Sequence, residues 1–163
     1  MQLSIVALED YLSRIAELLA RYGVVLDLEP SAPLFLDEGP SGAASFSLRG
    51  FLPDGQTPPL SVLEIRERWR RLGQDQVERW EYEFELLDHE RNFRRAFHLH
   101  HADEFIRRFH VVVHDHCEQP IGTAPCGHVP GSPVREGYRG VEILLEAWID
   151  PSLPDCSAMP CLE

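Results

Sequence analysis

A chain of 163 residues, 44% apolar and 26% charged, carries enough apolar material for one domain around one hydrophobic core. A formal net charge of −12 argues against a surface that coats nucleic acid broadly, because such surfaces bind by neutralising phosphates. The apolar runs are only a few residues long, against the roughly 20 that a membrane helix needs, so no membrane span is expected.

The first residues, MQLSIVALEDYL, lack a basic region and bring in Glu9 and Asp10 early, which argues against a signal peptide and for a cytoplasmic protein. Leu8, Tyr11, Leu12, Ile15, Leu18, Leu19 and Tyr22 recur at helical spacing, with Glu9, Asp10, Ser13, Arg14 and Glu17 on the other face. This predicts an amphipathic helix of about four turns, stopped by Gly23. Residues 24–28 read as a short strand, and 30–42, rich in Pro, Gly, Ser and acids, as a loop. A strand follows over 44–52, with Phe46, Leu48 and Gly50 on one face. The turn opened by Asp54-Gly55 and lengthened by Pro58-Pro59 leads into a strand over 60–65.

Residues 67–76 fit either a charged helical turn or an extended hairpin arm. Residues 79–88 alternate cleanly: Trp80, Tyr82, Phe84 and Leu86 on one face, and Glu81, Glu83 and Glu85 on the other, where a solvated row is expected. A turn at 89–92 precedes a strand over 93–100. It places Phe93, Arg95, Phe97 and Leu99 on one side, and Arg94, Ala96, His98 and His100 on the other. After a connector at 102–108, residues 110–116 form another strand, with His110, Val112, His114 and His116 opposite Val111, Val113 and Asp115. A Pro/Gly loop fills 119–135. Val141, Leu144, Leu145 and Trp148 mark a second amphipathic helix ending near Pro151. The order predicts a single α+β domain over 1–150, an antiparallel meander of about five to six strands with both helices on one face, and a tail over 151–163.

Six of the eight histidines fall within residues 97–116. Imidazole titrates near neutral pH, so histidines on two neighbouring strands form a candidate acid–base site, and a nearby guanidinium matches a phosphate in a bidentate fork. This is the equipment of metal-independent RNA cleavage, with His98, His110 and His114 transferring protons and Arg95 holding the phosphate. Arg94, Arg108, His100 and His116 are further candidates for substrate binding. Between Arg66 and Arg108 ten arginines face ten acidic residues, a locally neutral stretch within an acidic chain that can accept a phosphate.

The competing chemistry is a metal site. His114 and His116 share a strand face, and Cys117, Cys126 and His128 follow, a ligand set suited to zinc. The four cysteines (117, 126, 156 and 161) show no CxxC spacing, and free thiols are expected in a reducing cytoplasm. A third reading is a non-enzymatic interaction module whose acidic helices and glutamate-faced sheet form the partner surface.

The series LEDYL at 8–12, LRGFLPDG at 48–55, LSVLEI at 60–65, WEYEFELLD at 80–88, RRAFHLHH at 94–101 and RFHVVVHDH at 108–116 resembles the motif order of the TumE-like toxins of bacterial toxin–antitoxin pairs. Arg95 matches the arginine of that family's R-Y-D-N element, while Ala96, Phe97 and His98 stand where Tyr, Asp and Asn would be. The resemblance implies a small cytoplasmic toxin acting on RNA, without cofactor, held inactive by a helix-turn-helix antitoxin and compatible with a homodimer.

Overall fold

The computed structural model describes residues 1–27, 43–101, 113–122, 128–150, 152 and 156. The loop expected at 30–42, the connector at 102–108, and His110, Arg108, Cys126 and Cys161 lie outside the described residues, and His128 is described only in its backbone.

The chain forms β1 (Gln2–Ser4), α1 (Ile5–Arg21), β2 (Val25–Leu26), β3 (Ala43–Phe51), β4 (Ser61–Arg71), β5 (Gln76–Asp88), β6 (Phe93–Leu99), β7 (Val113–Glu118), β8 (His128–Pro130) and α2 (Gly137–Ile149). The described strands make one antiparallel sheet in the order β2-β3-β4-β5-β6-β7-β8. β1 pairs with the first residues of β5, on the edge that β6 leaves open beyond Tyr82. The α+β meander is as expected, extended by the short strands β1 and β8. Among the described residues no helix is long and apolar enough to cross a membrane.

Each element follows from its sequence period. Ser4 caps α1 by accepting from the Ala7 N–H, and Gly23, at φ 69°, adopts the left-handed conformation that ends the helix. Leu8, Tyr11, Ile15, Leu18 and Leu19 of α1 and Val141, Leu144 and Leu145 of α2 pack in one core with the inner face of the sheet: Phe46, Leu48, Leu63, Ile65, Trp69, Tyr82, Phe84, Leu86, Phe93 and Phe97. Helix α2 approaches β5 closely. A Cβ at Gly140 would stand 2.9 Å from the Phe84 ring, and one at Gly137 would collide with the Tyr11 hydroxyl.

Residues 67–76 resolve as the hairpin arm: β4 runs on to Arg71 and β5 begins at Gln76. Cross-strand ion pairs line its outer face, Arg66 with Glu83 at 3.2 Å and Arg68 with Glu81 at 2.9 Å. The register shifts by one residue here. Arg68 pairs with Glu81 but Trp69 with Arg79, so Trp80 is a bulge. Val77 and Arg79 thereby join the inner face, and Trp80 leaves it, contrary to the expected shared face with Tyr82, Phe84 and Leu86. Trp80 instead stacks on His101 at 3.9 Å with the Arg70 guanidinium 4.0 Å above its ring. The glutamate row is not uniformly solvated either, because Glu85 is buried against Arg94.

Glu67 and Arg79 form an ion pair inside the core. Glu67 Oε1 accepts from Arg79 Nη1 at 3.0 Å, its Oε2 accepts from Trp69 Nε1 at 3.0 Å, and the Tyr11 hydroxyl donates to it as well. Arg79 also donates to the carbonyls of Val134 and Arg135.

The expectation of free thiols fails at Cys117 and Cys156, which form a disulfide with their Cα atoms 5.3 Å apart. They stand 39 residues apart in the chain, a proximity that only the fold creates.

Replacing Arg79 by Leu leaves Glu67 buried without its cation and should cost about 3–5 kcal/mol in urea unfolding. Replacing Glu67 and Arg79 together by Leu should recover most of that loss. If the single variant matches the parent, the pair has no part in stability.

Candidate metal centre

The outer face of the sheet, away from the helices, is built by alternation on β4 to β7. The register aligns Arg66, Glu83, His98 and His114 in one row and Glu64, Glu85, Ala96 and His116 in the next. His98, His114 and His116 are therefore neighbours on two strands. All three are buried, at 5%, 1% and 2% exposure, so the histidines are not polar positions on an open sheet surface.

His98 Nδ1 and His114 Nε2 stand 2.9 Å apart, with the two rings close to perpendicular. One ring nitrogen from each of His98, His114 and His116 lies within 4.8 Å of the others. Around a tetrahedral zinc, nitrogens at 2.0–2.1 Å stand about 3.3 Å from each other, so modest ring rotations would bring the three onto one ion. His98 Nε2 is buried without a hydrogen-bond partner and lies 3.8 Å from Glu83 Oε1.

Carboxylates back the cluster. His116 Nε2 contacts Glu118 Oε1 at 2.6 Å, and Glu118 Oε2 accepts from the Gly122 N–H at 2.9 Å. Burial pushes the Glu118 carboxyl up, but the Gly122 N–H, His116 and Arg94 outweigh it and hold the group below its ordinary range. Burial, reinforced by His114, His100 and His116, lowers His98 from 6.5 to about 2. Burial lowers His100 as well. His98 is thus neutral at neutral pH, which suits a metal ligand better than a proton carrier.

Of the acid–base set expected from sequence, His98 and His114 are brought together, His110 lies outside the described residues, and Arg95 stands apart. Arg95 lies across the sheet from His98 and His114, on the inner face. Its Nη1 donates to the His116 carbonyl at 3.0 Å, its Nη2 stands 3.4 Å from Asp115, and its guanidinium covers the Phe97 ring. The alternation that sends His98 outward necessarily sends Arg95 inward. Arg94, His100 and His116 do share the outer face, Arg94 being engaged by Glu85 and, at 3.9 Å, Glu118.

The expected zinc set is also corrected. His114 and His116 remain, Asp115 faces away as expected, and His98 joins them. Cys117 turns to the core face and is consumed by the disulfide.

Beside the cluster, a groove of about 400 Å³ runs over β3, β4 and β5, bounded by Ser45, Ser47, Arg66, Arg68, Glu83 and His100. The His100 ring lies 5.0 Å from His98, and Glu83 and His100 form the boundary between groove and cluster. Sequence reasoning missed this groove and missed Glu118. Only the spacing His116-x-Glu118 on one strand face could have drawn attention to Glu118.

No protein-family model matches the chain, and no curated protein or solved structure is found to be similar to it.

Unfolded, His98 takes up a proton near pH 6.5; folded, it does so only near 2. The stability held by its neutral form is whole above pH 6.5 and is lost as pH falls through that window, at up to about 1.4 kcal/mol per pH unit. The melting temperature of metal-free protein should fall from about pH 7 to about pH 4, and fall less steeply in His98→Asn. Equal slopes in the two proteins would remove His98 as the cause.

Proposed function

We propose that this protein binds a divalent transition-metal ion of the zinc class through His98, His114 and His116. The observation that carries this reading is the convergence of three buried imidazole nitrogens within 4.8 Å on two registered strands. Imidazole is a preferred ligand of zinc, copper, nickel and iron, and paired strands hold such rings rigidly. Glu118 against His116 supplies the carboxylate–histidine contact that orients a ligand ring and raises its basicity. An ion bound at His98 Nε2 would also give that buried nitrogen a partner, offsetting the cost of removing the ring from water.

A second reading keeps the TumE-like toxin, a metal-independent ribonuclease with an antitoxin partner. The 2.9 Å contact of His98 with His114 favours it. The position of Arg95 on the opposite face weighs against it, and the Cys117–Cys156 bond favours an oxidising compartment over the cytoplasm.

Untagged protein loaded with zinc and dialysed should retain close to one ion per chain by elemental analysis. His98→Ala, His114→Ala and His116→Ala should each weaken retention, and chelation should lower the melting temperature of the parent. A parent protein that retains essentially no zinc, cobalt, nickel or copper sinks the metal reading. RNA cleavage that persists in chelator and vanishes in His98→Ala establishes the second one.

A further inference from the structure

We infer that the protein holds a second divalent transition-metal ion between Glu83, Glu85 and the Nε2 nitrogen of His98, so that the His98 ring joins two ions. This rests on the three-histidine reading above and adds to it a further site and a bridging ligand.

His98 meets His114 through Nδ1, at 2.9 Å, so that nitrogen belongs to the three-histidine site. The other nitrogen, Nε2, points another way. It is buried without a hydrogen-bond partner, in a side chain only 6% exposed, and Glu83 Oε1 stands 3.8 Å from it. That is too long for a hydrogen bond, yet within the span of two bonds of about 2.1 Å to one ion. Glu83, Glu85 and His98 each bring a ligand atom within 4.8 Å of the other two. The sheet sets this up. Glu83 pairs directly with His98, and Glu85 follows two residues on along the same face, opposite the short Ala96.

The ion pairs around this position leave a charge for it to meet. Asp27, Glu64, Glu83, Glu85 and Glu118 are joined to Arg49, Arg66 and Arg94, five carboxylates against three guanidiniums. The neighbouring pairs, Arg68 with Glu81 on this face and Arg79 with Glu67 on the other, are neutral. Among the described residues the network thus carries two negative charges in excess, the charge of one divalent ion. The guanidiniums leave oxygens for it, since Arg66 takes Glu83 through Oε2 and Arg94 takes Glu85 through Oε1. Arginines placed in this way orient the ligand carboxylates.

Two carboxylates and one imidazole make a harder donor set than three imidazoles, suited to zinc, manganese or iron. Glu83 is the entry, its side chain being 27% exposed and lining the groove, whereas Glu85 and His98 are buried. A neutral imidazole carries one N–H. In joining both ions the ring gives that proton to solvent, and each nitrogen donates a lone pair to one metal. The second ion is the weaker of the two, because each of its carboxylates also serves a guanidinium. It leaves on dialysis against metal-free buffer and is held at equilibrium with free zinc.

The test is a calorimetric titration of the full, untagged chain with zinc, with equilibrium dialysis against free zinc to count the ions. Two should bind, in a stronger and a weaker step. Glu85→Gln, folded by its melting curve, should weaken the second step about 10–100-fold and leave the first unchanged. His116→Ala should do the reverse, and His98→Ala should weaken both. A second readout needs no variant. Two coppers sharing one imidazole ring couple magnetically, so the paramagnetic resonance signal of the copper-loaded parent should fall below its copper content on cooling. One ion per chain at millimolar free zinc overturns this inference and leaves the three-histidine reading standing; no uptake overturns both. A second ion untouched by Glu85→Gln and by Glu83→Gln lies elsewhere and overturns the site. Two coppers at full signal overturn the bridge.

Discussion

The carboxylate of Glu67 sits out of reach of water beneath the helices, and the guanidinium of Arg79 is what makes that position tenable. A lone ionised carboxylate in such a place faces a desolvation cost of several kcal/mol even after the protein relaxes. Here it collects donors from three elements: Tyr11 of α1, Trp69 of β4 and Arg79 of β5. Burial, and then the negative charge of Glu67, push the Tyr11 hydroxyl far above its ordinary range, so it stays a donor. Arg79 spends its remaining donors on the carbonyls of Val134 and Arg135, just ahead of α2. One ion pair therefore fixes how both helices meet the central hairpin. A purely apolar core would tolerate more sliding, because apolar contacts have no direction.

That hairpin is also the back wall of the outer face. With Glu67 and Trp69 committed inward, Arg66 and Arg68 must point outward, and their register with β5 brings Glu81 and Glu83 to meet them. The next strand across carries His98 opposite Glu83, and the next His114 opposite His98. The same hydrogen-bonded ladder that closes the core thus delivers three imidazoles and a carboxylate to one neighbourhood on the other side. No loop among the described residues is needed to place them, which gives the site the stiffness of the sheet.

Much of this architecture was legible beforehand. The apolar stripes of α1 and α2 and the alternation in β3 and β6 were plain, because each pattern repeats long enough to identify its period. The split of β6 into an arginine-bearing inner side and a histidine-bearing outer side was legible too, and it already separated Arg95 from His98. What the sequence hid was register. Period two says that His98 and His114 each lie on some face; only the pairing says that it is the same face and the same row. Residues 67–76 were ambiguous because charges occupy both phases, Glu67 being buried and Arg66 and Arg68 exposed. The Cys117–Cys156 pairing was invisible for a related reason, since cysteines without a spacing motif announce no partner.

The extra residue at Trp80 works as a phase switch. Downstream of it β5 faces the core with even-numbered residues; upstream it does so with odd-numbered ones, Val77 and Arg79. Closing the bulge with every residue kept would not simply straighten the strand. It would bring Trp80 and Glu78 to the helices and swing Arg79 toward solvent, stranding Glu67. Arg79 and Tyr82 are separated by an odd number of positions, which in a regular strand sends two side chains to opposite faces, and the bulge between them is what lets both reach the core.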